Sequence, residues 1–188
     1  MVAGKSTMRV FIGIPLRADV RSELESVVAP IKPAIDNARW SPPEGWHITL
    51  QFLGTIAAAT CTDLCAQLGQ IRAPAFSLQL GQLDLFDRAG VFFADVLVSP
   101  SLAALHQNVL AATASCGFVA ESRPYHPHIT LARLKGESQT LRSRLPRSQH
   151  FPASPAGEFL LYESLLNPQG SRYEVRARFP LGPPRQAK

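Results

Sequence analysis

Cysteine is scarce in this chain: three residues in 188, at Cys61, Cys65 and Cys116. They form no zinc-ligand pattern and cannot all pair. Cys61 and Cys65 lie four apart in a helix-like segment, too far for a comfortable disulfide. All three read as buried free thiols in a reducing compartment. Long apolar runs are missing too, since no stretch approaches the ~18 apolar residues of a membrane span. The short N-terminal run VFIGIPL ends in proline, is followed by charge and has no small-residue cleavage site, so it reads as a first strand and not a signal peptide. The expectation is a cytoplasmic protein with no membrane partner. Acidic residues number 14 against 19 basic ones, a formal charge of +5. Arginine dominates the basic set, and its fork matches phosphate oxygens, so an anionic or nucleic-acid partner is favoured. No low-complexity segment and no clean linker interrupts the chain.

What is present is ordinary globular material, 46% hydrophobic and 18% charged, enough for a core and too apolar for a disordered chain. RVFIGIPL (9–16) reads as a strand, and 18–31 carries Val20, Leu24, Val27, Val28 and Ile31 at helical spacing. KPAIDNARWSPPEG reads as a loop by its prolines, and WHITLQFLG as a strand ending at Gly54. A helix is expected over 60–72, strands over 76–86 and 91–98, and a helix over 100–116. HITLARL is again a strand, 137–149 a short helix, and EFLLYESLL with SRYEVRARFPL a hairpin across NPQG.

The tetrapeptide His-Ile-Thr-Leu occurs twice, at 47–50 and 128–131. Sliding the sequence by 81 also superposes Phe11 on Phe92, Leu24 on Leu105 and Val28 on Val109. Each half therefore reads strand, helix, loop, then the His-Ile-Thr-Leu strand. The implied architecture is α+β and bilobal: two pseudo-twofold-related lobes, each an antiparallel sheet with helices outside, with the cleft between the sheets. Within a single domain over 1–188, lobe one would take about 8–72 plus the hairpin 157–181, and lobe two about 75–150.

Side chains alternate across a strand, so His47 and Thr49 share one face while Ile48 and Leu50 share the other. The same holds for His128 and Thr130 against Ile129 and Leu131. Two imidazoles and two hydroxyls can then converge on one cavity suited to phosphate esters without a metal. A neutral imidazole takes a proton from an attacking water or hydroxyl, and a protonated one gives a proton to the leaving oxygen. Histidine suits both tasks because its ordinary pKa of about 6.5 lets both protonation states exist near neutrality. Threonine hydroxyls can donate to the non-bridging oxygens as charge builds there. The residues alone leave open which histidine is the acid. A metal reading would recruit His126 beside His47 and His128, with Asp84 or Asp95, but no carboxylate or cysteine adjoins either motif. His106 and His150 read as surface residues, and no serine or cysteine elbow is present.

The two HITL segments match the His-x-Thr-x signature of the two-histidine (2H) phosphoesterase superfamily. With MRVFIGIPL, HITLQFLG, HPHITLAR and LYESLLNPQGSRYEV, the chain from about 8 to 181 resembles the RNA 2′,3′-cyclic phosphodiesterase (2′-5′ RNA ligase) family of bacteria and archaea. The resemblance implies the bilobal fold and no required metal or organic cofactor. It implies metal-independent hydrolysis of RNA or nucleotide 2′,3′-cyclic phosphate to the 2′-phosphate, with the same histidine pair able to join RNA ends reversibly through a 2′-5′ linkage. In that family's terms His47 resembles the proton donor, His128 the proton acceptor, and Thr49 and Thr130 the phosphate holders. No protein partner is implied, and the chain is expected to be a monomer. Two alternatives stay open: a 2H phosphodiesterase for 2′-5′ oligoadenylate or a cyclic-phosphate metabolite, and a non-catalytic RNA-binding module.

Further pocket candidates follow if the first strand of each lobe lines the cleft. Phe11 and Phe92 would then offer stacking surfaces, or else serve as core anchors. Arg133 follows the second motif but has the wrong parity for the cleft face unless the strand bulges. Tyr125 and Trp46 each stand near a motif histidine. The arginines at 142, 144, 147, 172, 176 and 178 could face RNA, although alternation along 172–178 equally suits a solvated strand.

Overall fold

The computed structural model of the chain describes residues 7–182, apart from 36, 136–141, 143, 144, 146–149, 168 and 169. The helix expected over 137–149 falls almost wholly outside the described residues, as do Arg144 and Arg147. Strands β1 (Thr7–Pro15), β3 (His47–Ala57), β9 (Glu158–Asn167) and β10 (Gly170–Pro180) form one antiparallel sheet in the order β10-β9-β1-β3. A second antiparallel sheet has the order β2-β7-β6-β5, from β2 (Ala38–Trp40), β5 (Leu80–Phe86), β6 (Val91–Val96) and β7 (His128–Leu134). A small ribbon pairs β4 (Phe76–Leu78) with β8 (Ser154–Ala156).

Period-two patterning explains how the sheets bury themselves. Val10, Ile12 and Ile14 of β1, Ile48 and Leu50 of β3, and Ile129 and Leu131 of β7 all enter one continuous core. Among the described residues three helices cover it. In α1 (Ala18–Val28) the buried residues Val20, Leu24 and Val28 recur every four positions, one stripe of an α-helix. Leu64 and Leu68 do the same in α2 (Ala58–Leu68). The start of α3 (Pro100–Ala114) is set by Pro100 and by Ser99, whose hydroxyl accepts the Leu102 N–H at 3.2 Å. Leu102, Leu105 and Val109 are fully buried, and each such side chain contributes about 1.5–3 kcal/mol by leaving water. The α+β class and antiparallel sheets expected from the sequence are present.

Two local expectations need correction. Ala38–Trp40, read as loop, is the edge strand β2, paired with Ala132–Leu134 of the second sheet. Pro42 and Pro43 lack the N–H needed to continue the ladder and stop it after three residues. The strand expected over 76–86 breaks at Gln79, so β4 joins β8 while β5 joins β6. The three cysteines are free and half-buried.

Candidate active site

His47 opens β3 and His128 opens β7. Ile48 and Ile129 are fully buried beneath them. The intervening faces deliver His47, Thr49, His128 and Thr130, all half-buried, into a single cleft of about 600 Å³. Both imidazoles are held alike. The Nδ1 of His47 lies 2.7 Å from the Gly45 carbonyl oxygen, and that of His128 lies 2.8 Å from the His126 carbonyl oxygen. A carbonyl only accepts, so each Nδ1 carries a proton and Nε2 is left to exchange one. Neither threonine hydroxyl has a hydrogen-bond partner among the described residues.

The surroundings of the two rings differ. Phe11 lies tilted over His47 at 4.5 Å, with the Tyr173 edge at 5.1 Å and Tyr162 at 5.6 Å. Burial among these rings pushes the His47 pKa down to about 4, against the opposing pull of the Gly45 carbonyl. Gly13 makes the space, because a Cβ there would come 2.9 Å from the Ile48 oxygen and 3.4 Å from His47 Cδ2. His128 meets Phe86 at 5.0 Å and Phe93 at 5.4 Å, both edge-on. Its pKa is also lowered, first by burial; the His126 carbonyl and Asp95 oppose that shift, while the His126 ring and Arg133 add to it.

A β-bulge decides the fate of Arg133. Phe92 pairs with Ala132 but Phe93 with Thr130, so β7 carries an extra residue and Leu131 and Ala132 both turn inward. Arg133 then returns to the cleft face. The same bulge occurs in β3, where Ile12 pairs with Gln51 and Gly13 with Thr49, and it delivers Phe52 to the cleft. Register also corrects Phe92. Thr49 faces Gly13 whereas Thr130 faces Phe93, so β1 and β6 match at an offset one residue shorter than 81. That slip reverses the faces. Phe11 therefore lines the cleft, while Phe92 is fully buried in the core against the edge of Trp40.

Tyr125 braces instead of lining the cleft: its hydroxyl donates to the Thr49 carbonyl at 3.2 Å and its ring stacks on His106 at 3.7 Å. His106, expected on the surface, is half-buried by that stacking. Trp46 is a buried core residue whose Nε1 donates to the Ser41 carbonyl. His126 pairs with Asp95 at 3.0 Å. Of the arginines proposed as an RNA surface, Arg172 lines the cleft, whereas Arg142, Arg176 and Arg178 pair with acids elsewhere. Among the described residues no group of three or more His, Cys, Asp or Glu side chains could hold a metal ion.

A family model for the 2′-5′ RNA ligase superfamily matches residues 20–156. The chain belongs to that superfamily. An RNA 2′,3′-cyclic phosphodiesterase of Escherichia coli is 30% identical over 92% of this chain and 96% of its own length. One from Geobacillus stearothermophilus is 32% identical over 91% of this chain, which spans 56% of that longer protein. The crystal structure of E. coli LigT in apo form superposes with a TM-score of 0.79 at 28% identity, covering 94% of this chain and 99% of that one. The superfamily signature, read as two tetrapeptides, locates His47, Thr49, His128 and Thr130. It does not locate Tyr162, Tyr173, Trp40 or Arg39, which reach the site from β9, β10 and β2. Phe52 alone had a sequence signal, standing 81 residues before Arg133.

Proposed function

We propose that this chain is a metal-independent RNA 2′,3′-cyclic phosphodiesterase acting by paired histidine acid–base catalysis. The observation that carries the reading is the matched pair of imidazoles, each fixed by Nδ1 to a backbone carbonyl with Nε2 left for proton exchange, in a cleft they share with two threonine hydroxyls that have no partner among the described residues. The names of the E. coli and G. stearothermophilus relatives support the substrate. Water attacks phosphorus, forming a new P–O bond, and its proton passes to the neutral imidazole. The P–O3′ bond breaks as O3′ takes a proton from the other imidazolium, leaving a 2′-phosphate and a 3′-hydroxyl. Thr49 and Thr130 donate to the non-bridging oxygens as their charge grows. A 5′-hydroxyl in place of water gives the 2′-5′ linkage, the reverse of cleavage of that linkage.

In this reading His47 is the acid and His128 the base, an assignment that rests on the family resemblance. Burial keeps the His47 ring neutral near neutral pH. An anionic phosphate brings the negative charge that favours its imidazolium. Incubation with a cyclic-phosphate-ended RNA should yield 2′-phosphate ends, and a chelator should leave the rate unchanged. A 3′-phosphate product overturns O3′ as the leaving group, and chelator inhibition reversed by zinc overturns the metal-independent chemistry.

A further inference from the structure

The cleft holds more positive charge and more open aromatic surface than one cyclic phosphate can use. Arg9, Arg39, Arg133 and Arg172 all line it, and none has a carboxylate partner among the described residues. The ion-paired arginines, such as Arg17, Arg123 and Arg142, lie outside it. A 2′,3′-cyclic phosphate carries a single negative charge. Phe52, turned into the cleft by its bulge, remains 44% exposed, although burying a phenylalanine ring is worth about 1.5–3 kcal/mol. The Arg9 guanidinium lies 4.9 Å from the centroid of that ring.

This pair differs from the rings around His47. Phe11, Tyr162 and Tyr173 pack on one another and on the imidazole, and Phe11 and Tyr162 are buried. Among the described residues Phe52 joins none of the ring–ring contacts, and Arg9 lies beside it on the neighbouring strand. An exposed ring beside an unpaired guanidinium is a combination that takes a base on the ring and a phosphate on the cation. The pseudo-symmetric position in the other sheet holds Arg133, so one bulge supplies a cation near the reacting phosphate and the other an aromatic surface next to it.

Resting on the phosphodiesterase reading above, we infer that Arg9 and Phe52 form a subsite for a second nucleotide of the RNA strand, so that the preferred substrate is an oligonucleotide end and not a mononucleoside cyclic phosphate. The base of the neighbouring nucleotide stacks on Phe52, and its phosphodiester meets Arg9.

Two measurements on the full chain test this. In the first, kcat/KM is compared for a nucleoside 2′,3′-cyclic phosphate, the cyclic-phosphate-ended dinucleotide and the hexanucleotide. In the second, Kd is measured for 2′-phosphate-ended RNAs of the same lengths, so binding is read even if turnover is absent. The dinucleotide should be favoured over the mononucleotide by at least about ten-fold in both, with a smaller further gain at six. Phe52→Ala should abolish the dinucleotide gain and Phe52→Trp should keep it. Arg9→Ala should flatten the slope of log Kd against log salt for the dinucleotide by about 0.7, one phosphate contact on a single strand. Equal kcat/KM and Kd for one and two nucleotides, or a gain that survives Phe52→Ala, overturns the subsite while leaving cyclic-phosphate hydrolysis standing. Turnover of none of these substrates overturns the phosphodiesterase reading instead, and the binding series then decides the subsite alone.

Discussion

His126 and Asp95 are joined by a hydrogen bond, Nε2 to Oδ1 at 3.0 Å, immediately beside the second motif histidine. The carbonyl of the same His126 accepts the Nδ1 proton of His128, and Asp95 is the register partner of His128 on β6. At the first motif the corresponding residues are Gly45, which accepts from His47, and Pro15, its register partner, and neither has an ionisable side chain. Two imidazoles of matching geometry therefore sit in unlike fields. Before substrate binds, that difference favours a proton on His128 over His47. The roles drawn from the family resemblance therefore require the substrate's negative charge to favour the His47 imidazolium.

Asp95→Asn should move the pH limb governed by His128 to lower pH. The groups facing His128 are the His126 ring, Arg133 and Asp95, with His47 across the cleft. Only Asp95 favours its imidazolium by charge. Removing that carboxylate leaves positive neighbours that oppose protonation. The check is the pH dependence of kcat/KM in the variant and in His126→Gln. A lower rate with an unmoved limb would reduce the pair to a backbone brace.

Gly13→Ala should lower both stability and turnover. The added methyl would come 2.9 Å from a backbone oxygen of β3 that cannot move aside cheaply, and 3.4 Å from the His47 ring. Overpacking of this kind costs about 1–3 kcal/mol. A ring displaced even slightly from its reacting geometry also loses rate, by up to about 10²-fold per ångström. Thermal melting together with kcat checks this. A variant of wild-type melting temperature and rate would show that the strands give way freely.

The two-sheet class, the cleft-facing side of each motif and the terminal hairpin were all legible in the sequence, because alternation and the repeat are local signals. Arg133 and Phe92 were not. Parity counting assumes one residue against one, and the extra residues at Leu50 and Leu131 break that count in both sheets. Sliding the chain by a constant 81 likewise assumes equal spacing throughout, yet β1 and β6 sit one residue off it. The contribution of Trp40 and Arg39 was hidden for another reason: three residues flanked by prolines are too short to show a period. Tyr173 and Arg172 come from a strand far along the chain, and only sheet pairing brings them beside His47.

The depressed pKa of His47 carries a consequence for folding as well as catalysis. Folded, the imidazole stays neutral down to about 4; unfolded, it takes a proton near 6.5. Between those values the unfolded chain binds more protons, so this residue's contribution is complete above 6.5 and is lost as pH falls towards 4. The loss amounts to at most about 3 kcal/mol. Denaturant midpoints measured from pH 7 to 4 should fall less steeply in His47→Gln than in the wild type. An identical slope in the two proteins would mean that His47 is not buried as an uncharged ring.

If the two histidines act in one proton-transfer sequence, their removal cannot be additive. Each of His47→Ala and His128→Ala should lower kcat on a cyclic-phosphate-ended RNA by about 10²–10⁴-fold. Once either proton transfer is missing, the other ring has no partner step to serve, so the double variant should be at most a few-fold worse than the slower single one. The threonine hydroxyls and cleft arginines persist in all three variants and supply the residual rate. Circular dichroism should show the fold retained, because neither ring belongs to the continuous core. Losses that multiply in the double variant would mean independent contributions, such as two separate phosphate contacts. Full activity in either single variant would remove that histidine from the chemistry altogether.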